Sequence, residues 1–328
     1  STALQNAGIQ NTAALEQATP SLTIARQIGA ASPYIRGVGT ANASTPGLEA
    51  PVAIYVDGVY LPSSSGNIFS FNNVERIEVL KGRQGTLVGR NATGGLINVI
   101  TRDPSVTPVV EGSLEYGNYD TVSGRFYASA GSGNIATDIA VSGTHQGDGF
   151  GKNLTTGKDV SVERSISVRS KTVWTPTTAD RLTFSADWSR DRSNFGLAAN
   201  ALDDAILSDG QPRIGSIQDT RQEVDPRRKA TAGTLSLKYA HDFSWGTLSS
   251  LSAYRDDKSI STYDVDATAL AILPNTYSDY NHSFQQEFLL NGQAGKLKYT
   301  AGLFYFNAKQ GFDSRIEMPV GHHHRELA

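Results

Sequence analysis

Cysteine is absent from the 328-residue chain. That excludes a disulfide framework and a thiolate metal site, and it removes thiols as a guide to redox compartment. No apolar run approaches the roughly 18 residues that a membrane-crossing helix needs. A membrane β-barrel survives that test, because its strands alternate lipid-facing and lumen-facing residues and stay modest in hydropathy. Charge of one sign is also lacking. The net charge is −3, which gives no general reason to expect nucleic acid or an anionic surface as a partner. The chain opens at Ser1 with no charged segment followed by an apolar one, so no export signal is visible.

Glycine and aromatic residues are plentiful, with 32 Gly, 13 Tyr and 12 Phe in a chain long enough for two ordinary domains or one large one. The stretch from Val74 to Pro104, VERIEVLKGRQGTLVGRNATGGLINVITRDP, organises the rest. Ile77 and Val79 point one way and Glu78 the other, as in a strand. A glycine-rich segment follows (Gly82, Gly85, Gly89, Gly94, Gly95), and the stretch closes on the β-branched run Leu96 to Thr101. Two strands joined by a permissive loop is the direct reading.

Ahead of that stretch, Asn11 or Thr12 can cap a short helical turn through AALEQ, which Pro20 ends. SLTIARQ and SPYIRGVGT read as short strands, and ANASTPGLEA as a loop. PVAIYVDGVYLP is the clearest local element, a hairpin turning on Asp57-Gly58. After about Pro108 the pattern becomes monotonous, with roughly nine strand candidates of alternating character. In RLTFSADW, Leu182, Phe184, Ala186 and Trp188 share one face. In NIATDIAV, Ile135, Thr137, Ile139 and Val141 do the same, whereas TLSSLSAYR gives no secure outer face. Short connections (GSGN, TPTTAD, HDFSWG, GQAGK) alternate with long polar ones, apart from a tight first link near Gly117 to Asp120. Aromatic residues (Tyr116, Tyr119, Trp174, Trp245, Tyr254) cluster toward strand ends. Both features suit an outer-membrane barrel, with short periplasmic turns, long extracellular loops and interfacial aromatic girdles.

In that order and spacing, IRGVG, PVAIYVDGVY and VERIEVLKGRQGTLVGRNATGGLINVITRDP closely resemble the plug domain of TonB-dependent outer-membrane receptors. SFQQEFLLNG and YTAGLFYF look like barrel strands of the same family. The resemblance implies a mainly β protein with two parts. Residues 1–105 would be a small α+β plug, and residues 106–328 the first part of an antiparallel transmembrane barrel of about 22 strands. It implies a cell outer-membrane location, and uptake of a scarce bulky nutrient, most often a ferric siderophore, powered through TonB; the alternatives are a non-transporting surface receptor or adhesin, or a receptor of the same family for heme, cobalamin or an oligosaccharide. The partners implied are the TonB complex, outer-membrane lipid and an iron chelate, with no resident cofactor. Arg83 and Val88 stand where the family usually has Pro and Tyr, and altered turn rigidity is expected there. The TonB box of the family is not in this chain, which is therefore read as a segment of a longer receptor.

Several local patterns carry a chemical reading beside a plainer one. GRQGTLVG lacks the Gly-Lys-Ser/Thr ending of a phosphate loop, so its glycines read as turn devices. The Asp57 carboxylate reads as part of its turn rather than as an acid catalyst. No Ser/His/Asp set, metal motif or convergent carboxylate pair marks an enzyme. His322, His323 and His324 form the histidine cluster, a weak metal signal without a spaced carboxylate. Other roles come from the resemblance alone. Arg36 and Lys81 fall where the family places plug cations that pair with barrel carboxylates. Asn42, Ser44 and Thr45, with Ser63, Ser64, Ser65 and Asn67, match the plug apices that touch ligand.

Overall fold

A computed structural model describes residues 12–27, 30–40, 50–62, 73–83, 92–195, 197, 200, 205–264, 266, 268–272 and 274–316. The helical turn expected at the front is a 3-10 helix over Thr12–Gln17. It is followed by β1 (Leu22–Gln27) and β2 (Ala30–Ile35), which pair antiparallel. The hairpin β3 (Val52–Val56) and β4 (Val59–Tyr60) turns on Asp57 and Gly58, at φ 49° and 89°. Two successive positive φ values give the tight turn whose twist matches a β-hairpin, which explains the Asp-Gly pair.

The stretch from Val74 does form two antiparallel strands, β5 (Val74–Lys81) and β6 (Gly95–Thr101), with Ile77 opposite Val99 and Val79 opposite Ile97. Most of the glycine loop between them lies outside the described residues. Strand β6 also pairs in parallel with β3, giving a four-stranded sheet in the order β4-β3-β6-β5. Alternation decides the packing. Val52, Ile54, Ile97 and Val99 face a main core with Leu15, Leu22, Ile24 and Ile35. Ala53, Tyr55 and Leu96 face the other way, toward Tyr60 and Ala92. Gly95 is required where it stands, because a Cβ there would sit 2.6 Å from the Leu80 carbonyl oxygen.

The second part is a single antiparallel sheet of nine strands. Its members in chain order are β7 (Val109–Gly117), β8 (Thr121–Ser132) and β9 (Ile135–Gln146), then β12 (Arg164–Trp174) and β13 (Asp180–Asp191). The last four are β14 (Arg227–Phe243), β15 (Gly246–Asp264), β16 (Pro274–Ala294) and β17 (Leu297–Ile316). Each strand lies beside its predecessor in this series. A small side pair, β10 (Gly151–Lys152) and β11 (Asp159–Val160), forms within the link from β9 to β12. That pair has too little alternation to be read from the chain. Every strand candidate read after Pro108 is present, and one edge carries the short turns while the other carries the long links, apart from the tight β7–β8 turn between Gly117 and Thr121, which lies at the long-link edge.

Strands β14 to β17 are longer than their alternation suggests, at 17, 19, 21 and 20 residues. Much of DKSISTYDVDATALAILPNTYSD, read as a loop, is paired strand, with Asp257 opposite Asn281 and Thr262 opposite Thr276. Polar residues occupy both faces there, so the period-2 signal disappears although the ladder continues. The ambiguous face of β15 is also settled. Leu248 and Tyr254 face outward at 38% and 49% exposure, while Leu251 and Ala253 turn inward against Val59.

The outer face is an apolar and aromatic surface. Ile135, Ile139, Phe184, Trp188 and Phe288 are all exposed on it. Near the short-turn edge Phe243 stacks on Trp245 at 5.1 Å, and Trp174 closes β12 nearby. Among the described residues no helix is long and apolar enough to cross a membrane.

Candidate functional site at the seam between plug sheet and barrel wall

The β3–β4 hairpin is where the small sheet meets the nine-stranded wall, and several kinds of contact hold it. Gln285 of β16 uses its side-chain amide twice, accepting the Tyr60 N–H and donating to the Gly58 carbonyl, each at 2.9 Å. Val59 packs with Leu251 and Ala253 of β15. Tyr60 meets the Phe306 ring of β17 edge-on, with centroids 5.5 Å apart. Gly58 is needed at this contact. Its φ is 89°, and a Cβ would approach Leu251 Cδ2 at 3.1 Å.

Asp57 supplies the ionic centre. Its Oδ2 accepts from Arg169 Nη2 at 2.6 Å and from the Thr101 hydroxyl at 2.5 Å, and Lys171 Nζ lies 3.3 Å away. Its Oδ1 accepts the Thr101 N–H at 2.9 Å. Arg169 and Lys171 are two residues apart on β12, so strand geometry puts both on the lumen face. Lys171 Nζ also donates to the Thr101 carbonyl at 3.1 Å and reaches Asp103 at 3.4 Å, while Arg181 of β13 binds Asp103 at 2.6 Å. Burial pushes the Asp57 carboxyl up, but Arg169, Lys171 and the two Thr101 bonds outweigh it. Its pKa therefore lies below the ordinary carboxylate value. Arg102 ties the exit from the plug sheet to β7 through both oxygens of Glu111, at 2.9 and 3.1 Å, and lies over the Tyr127 ring.

The seam is not continuously packed. A small cavity of about 60 Å³ beside Asp57 is bordered by Arg169, Asp187 and Arg255. A larger one of about 660 Å³ opens between the two sheets, from Asp57 toward Glu75 and Arg181. The main apolar core, from Leu15 to Val99, contains no residue of the nine-stranded sheet. The small sheet thus has its own core, and its fastening to the wall is largely polar.

The residues singled out from the sequence fall elsewhere. Arg36 is exposed, with its backbone N–H on the Ser21 carbonyl at 2.9 Å. Lys81 Nζ donates to the Pro20 carbonyl at 2.8 Å. Among the described residues neither meets a barrel carboxylate. Asn42, Ser44, Thr45, Ser63, Ser64, Ser65, Asn67 and the three histidines His322, His323 and His324 lie outside the described residues. Asp57 does sit in its turn as read, yet its carboxylate also binds the wall. That second role was missed, as were Arg169, Lys171 and Gln285. The signal available was RSISVRSKTVW, where Arg169 and Lys171 alternate with Val168 and Ser170 and so place two cations on one face of a barrel strand.

A small sheet with its own core, pinned to the inner face of an antiparallel wall with an apolar outer face, is the architecture of a plugged barrel. Residues 1–96 match the family described as TonB-dependent Receptor Plug Domain. The pesticin receptor of Yersinia pestis is 26% identical over 97% of this chain and 46% of its own length. The crystal structure of the ferric yersiniabactin uptake receptor FyuA from Yersinia pestis superposes with a TM-score of 0.80 at 22% identity, covering 97% of this chain and 49% of that one. The Pseudomonas aeruginosa receptor FpvA, solved bound to ferric pyoverdine, gives 0.74 at 15% identity, covering 96% and 42%. The chain is thus similar to these receptors along nearly its whole length, and the match to the TonB-dependent receptor plug family lies at its front. It spans about half the length of the relatives it matches.

Proposed function

We propose that the protein containing this chain is an outer-membrane receptor that takes up a ferric siderophore by a TonB-driven change in its plug. The observation that carries this reading is the fastening of the plug hairpin. Asp57, Gly58 and Tyr60 are held to the wall by ion pairs and hydrogen bonds around cavities, while the plug keeps a separate apolar core. Polar contacts of this kind can be exchanged for water at modest net cost, whereas a continuous apolar seam cannot. Solved structures named for ferric yersiniabactin uptake and for an iron-loaded pyoverdine complex support an iron-chelate cargo.

In this reading ligand binds at the side of the long links and at the plug apices, where Asn42, Ser44, Thr45, Ser63, Ser64, Ser65 and Asn67 offer small hydrogen-bonding side chains. Arg36 and Lys81 would pair with carboxylates of further barrel strands. No covalent change is made to the cargo. The test is growth of a strain deleted for the full-length gene, under iron limitation, on a panel of purified ferric siderophores. Loss of growth on at least one of them, restored by the intact gene, is expected. Unaffected growth on all would move the cargo to another bulky nutrient such as heme, cobalamin or an oligosaccharide.

A further inference from the structure

The β13–β14 link meets the end of β15 and the link after it at three acids, Glu223, Asp264 and Asp266. One carboxylate oxygen from each lies within 4.8 Å of the other two. Asp264 is only 4% exposed. Its Oδ1 accepts the Asp266 N–H at 3.0 Å, but its Oδ2 is buried without a hydrogen-bond partner, and so are both oxygens of Glu223. No lysine or arginine relieves Glu223 or Asp264 among the described residues. The basic residues nearby in the chain, Arg221, Arg227 and Arg228, pair with Asp209, Asp225 and Asp191 instead.

The place is built rather than accidental. Gln222 is fully buried, and its amide donates to the Asp264 carbonyl at 3.1 Å and to the Leu197 carbonyl at 3.4 Å. Asp266 is fixed by the Thr268 N–H at 3.0 Å and by the Thr268 hydroxyl. Asp264 Oδ2 and both Glu223 oxygens thus lack a donor and a counter-charge, which is costly, and in folded proteins such groups are paired, take up a proton or bind a metal. Three converging carboxylate oxygens with no His or Cys among them form a hard donor set, which suits calcium or magnesium. Ligands drawn from two links and a strand end, without a rigid octahedral frame, favour calcium with its looser geometry.

We propose that Glu223, Asp264 and Asp266 bind a calcium ion that clamps the two long links together on the side away from the short turns. The inference does not rest on the transport reading, since a receptor of any cargo could carry the clamp. It is tested on the purified full-length receptor, stripped with chelator and titrated with calcium chloride at neutral pH by calorimetry and by thermal unfolding. Wild type should take up calcium and melt at a higher temperature with it. Asp264→Asn and Glu223→Gln should bind one calcium fewer or lose at least tenfold in affinity, and lose the calcium-dependent shift. Magnesium should bind at least tenfold more weakly than calcium. If Asp264→Asn fails to fold, Asp266→Asn supplies the same comparison, and calcium protection of the 205–226 segment from protease supplies a second. Wild type with no calcium response, or folded variants with an unchanged one, would overturn the site.

Discussion

Asp57 concentrates the chemistry of the seam in one carboxylate. Side-chain exposure is 17% for Asp57, 11% for Arg169 and 5% for Lys171, so solvent screens this cluster little. Removing one member of such a buried pair usually costs about 3–5 kcal/mol, because the partner charge stays behind without compensation. Asp57→Asn should therefore loosen the hairpin by about 3 kcal/mol, the lower end, since Lys171 keeps Asp103 and the Thr101 carbonyl. A cysteine placed at Val59, buried in the docked hairpin, reports this directly, and this chain has no native cysteine to compete. Its maleimide labelling in urea should speed up on Asp57→Asn, and an unchanged rate would show that the pair does not hold the hairpin. The pH dependence follows from the same group. A carboxylate with a depressed folded-state pKa contributes stability above its unfolded value and loses it as pH falls through the folded one. The plug should stay docked from neutral pH down into the ordinary carboxylate range. Val59→Cys labelling, divided at each pH by that of a urea-unfolded control because the reactive thiolate fraction falls with pH, should speed up only below it.

At the scale of whole strands, alternation sets which residues face lipid in the proposed outer-membrane setting. Phe184 and Ser185 are neighbours on β13, yet Phe184 is exposed on the outer face and Ser185 is buried inward at 5% exposure. Placing a lysine at a mid-membrane lipid-facing position costs about 2–4 kcal/mol. Phe184→Lys should lower the urea midpoint of the full-length receptor folded in lipid vesicles, while Phe184→Leu should leave it nearly unchanged. Equal behaviour of the two variants would move this face out of the hydrocarbon. Strands such as β13 were legible in the sequence because Leu182, Phe184, Ala186 and Trp188 alternate with polar residues. Strand β15 was not, because Leu251 leaves the outer face to pack on Val59, so apolar residues appear on both sides. The far halves of β15 and β16 escaped for the opposite reason. Asp257, Ser259 and Ser261 point inward while Asp256 and Lys258 point outward, so both faces are polar and only the backbone ladder defines the strand. The seam itself was illegible because it joins residues far apart in the chain, Asp57 with Arg169 and Gly58 with Gln285, and no local pattern marks such a pairing.

For the molecule as a whole, the nine-stranded sheet has two outermost strands, β7 and β17, whose residues are mostly exposed. Unpaired strand edges cannot stand in hydrocarbon, where each unsatisfied backbone group costs several kcal/mol, so a membrane setting requires both edges to be paired. Closure leaves the plug as the element that must move if cargo is to pass. Its most heavily fastened piece is the Asp57 hairpin, which contacts β12, β15, β16 and β17. Detachment of that hairpin is therefore the step to test. In the full-length receptor, cysteines at Asp57 and Lys171 can be bridged by a short bis-methanethiosulfonate linker, which replaces the ion pair with a covalent tether. In the proposed siderophore reading, the chelate that supports growth, loaded with radioactive iron, should still bind to the tethered receptor. Its uptake should fall to the level of the deletion strain and return after reduction of the linker. The same cysteine pair without linker controls for loss of the ion pair itself. Full uptake through the tethered receptor would mean that the hairpin stays docked, and that any path opens elsewhere in the plug, through the 660 Å³ space between the sheets.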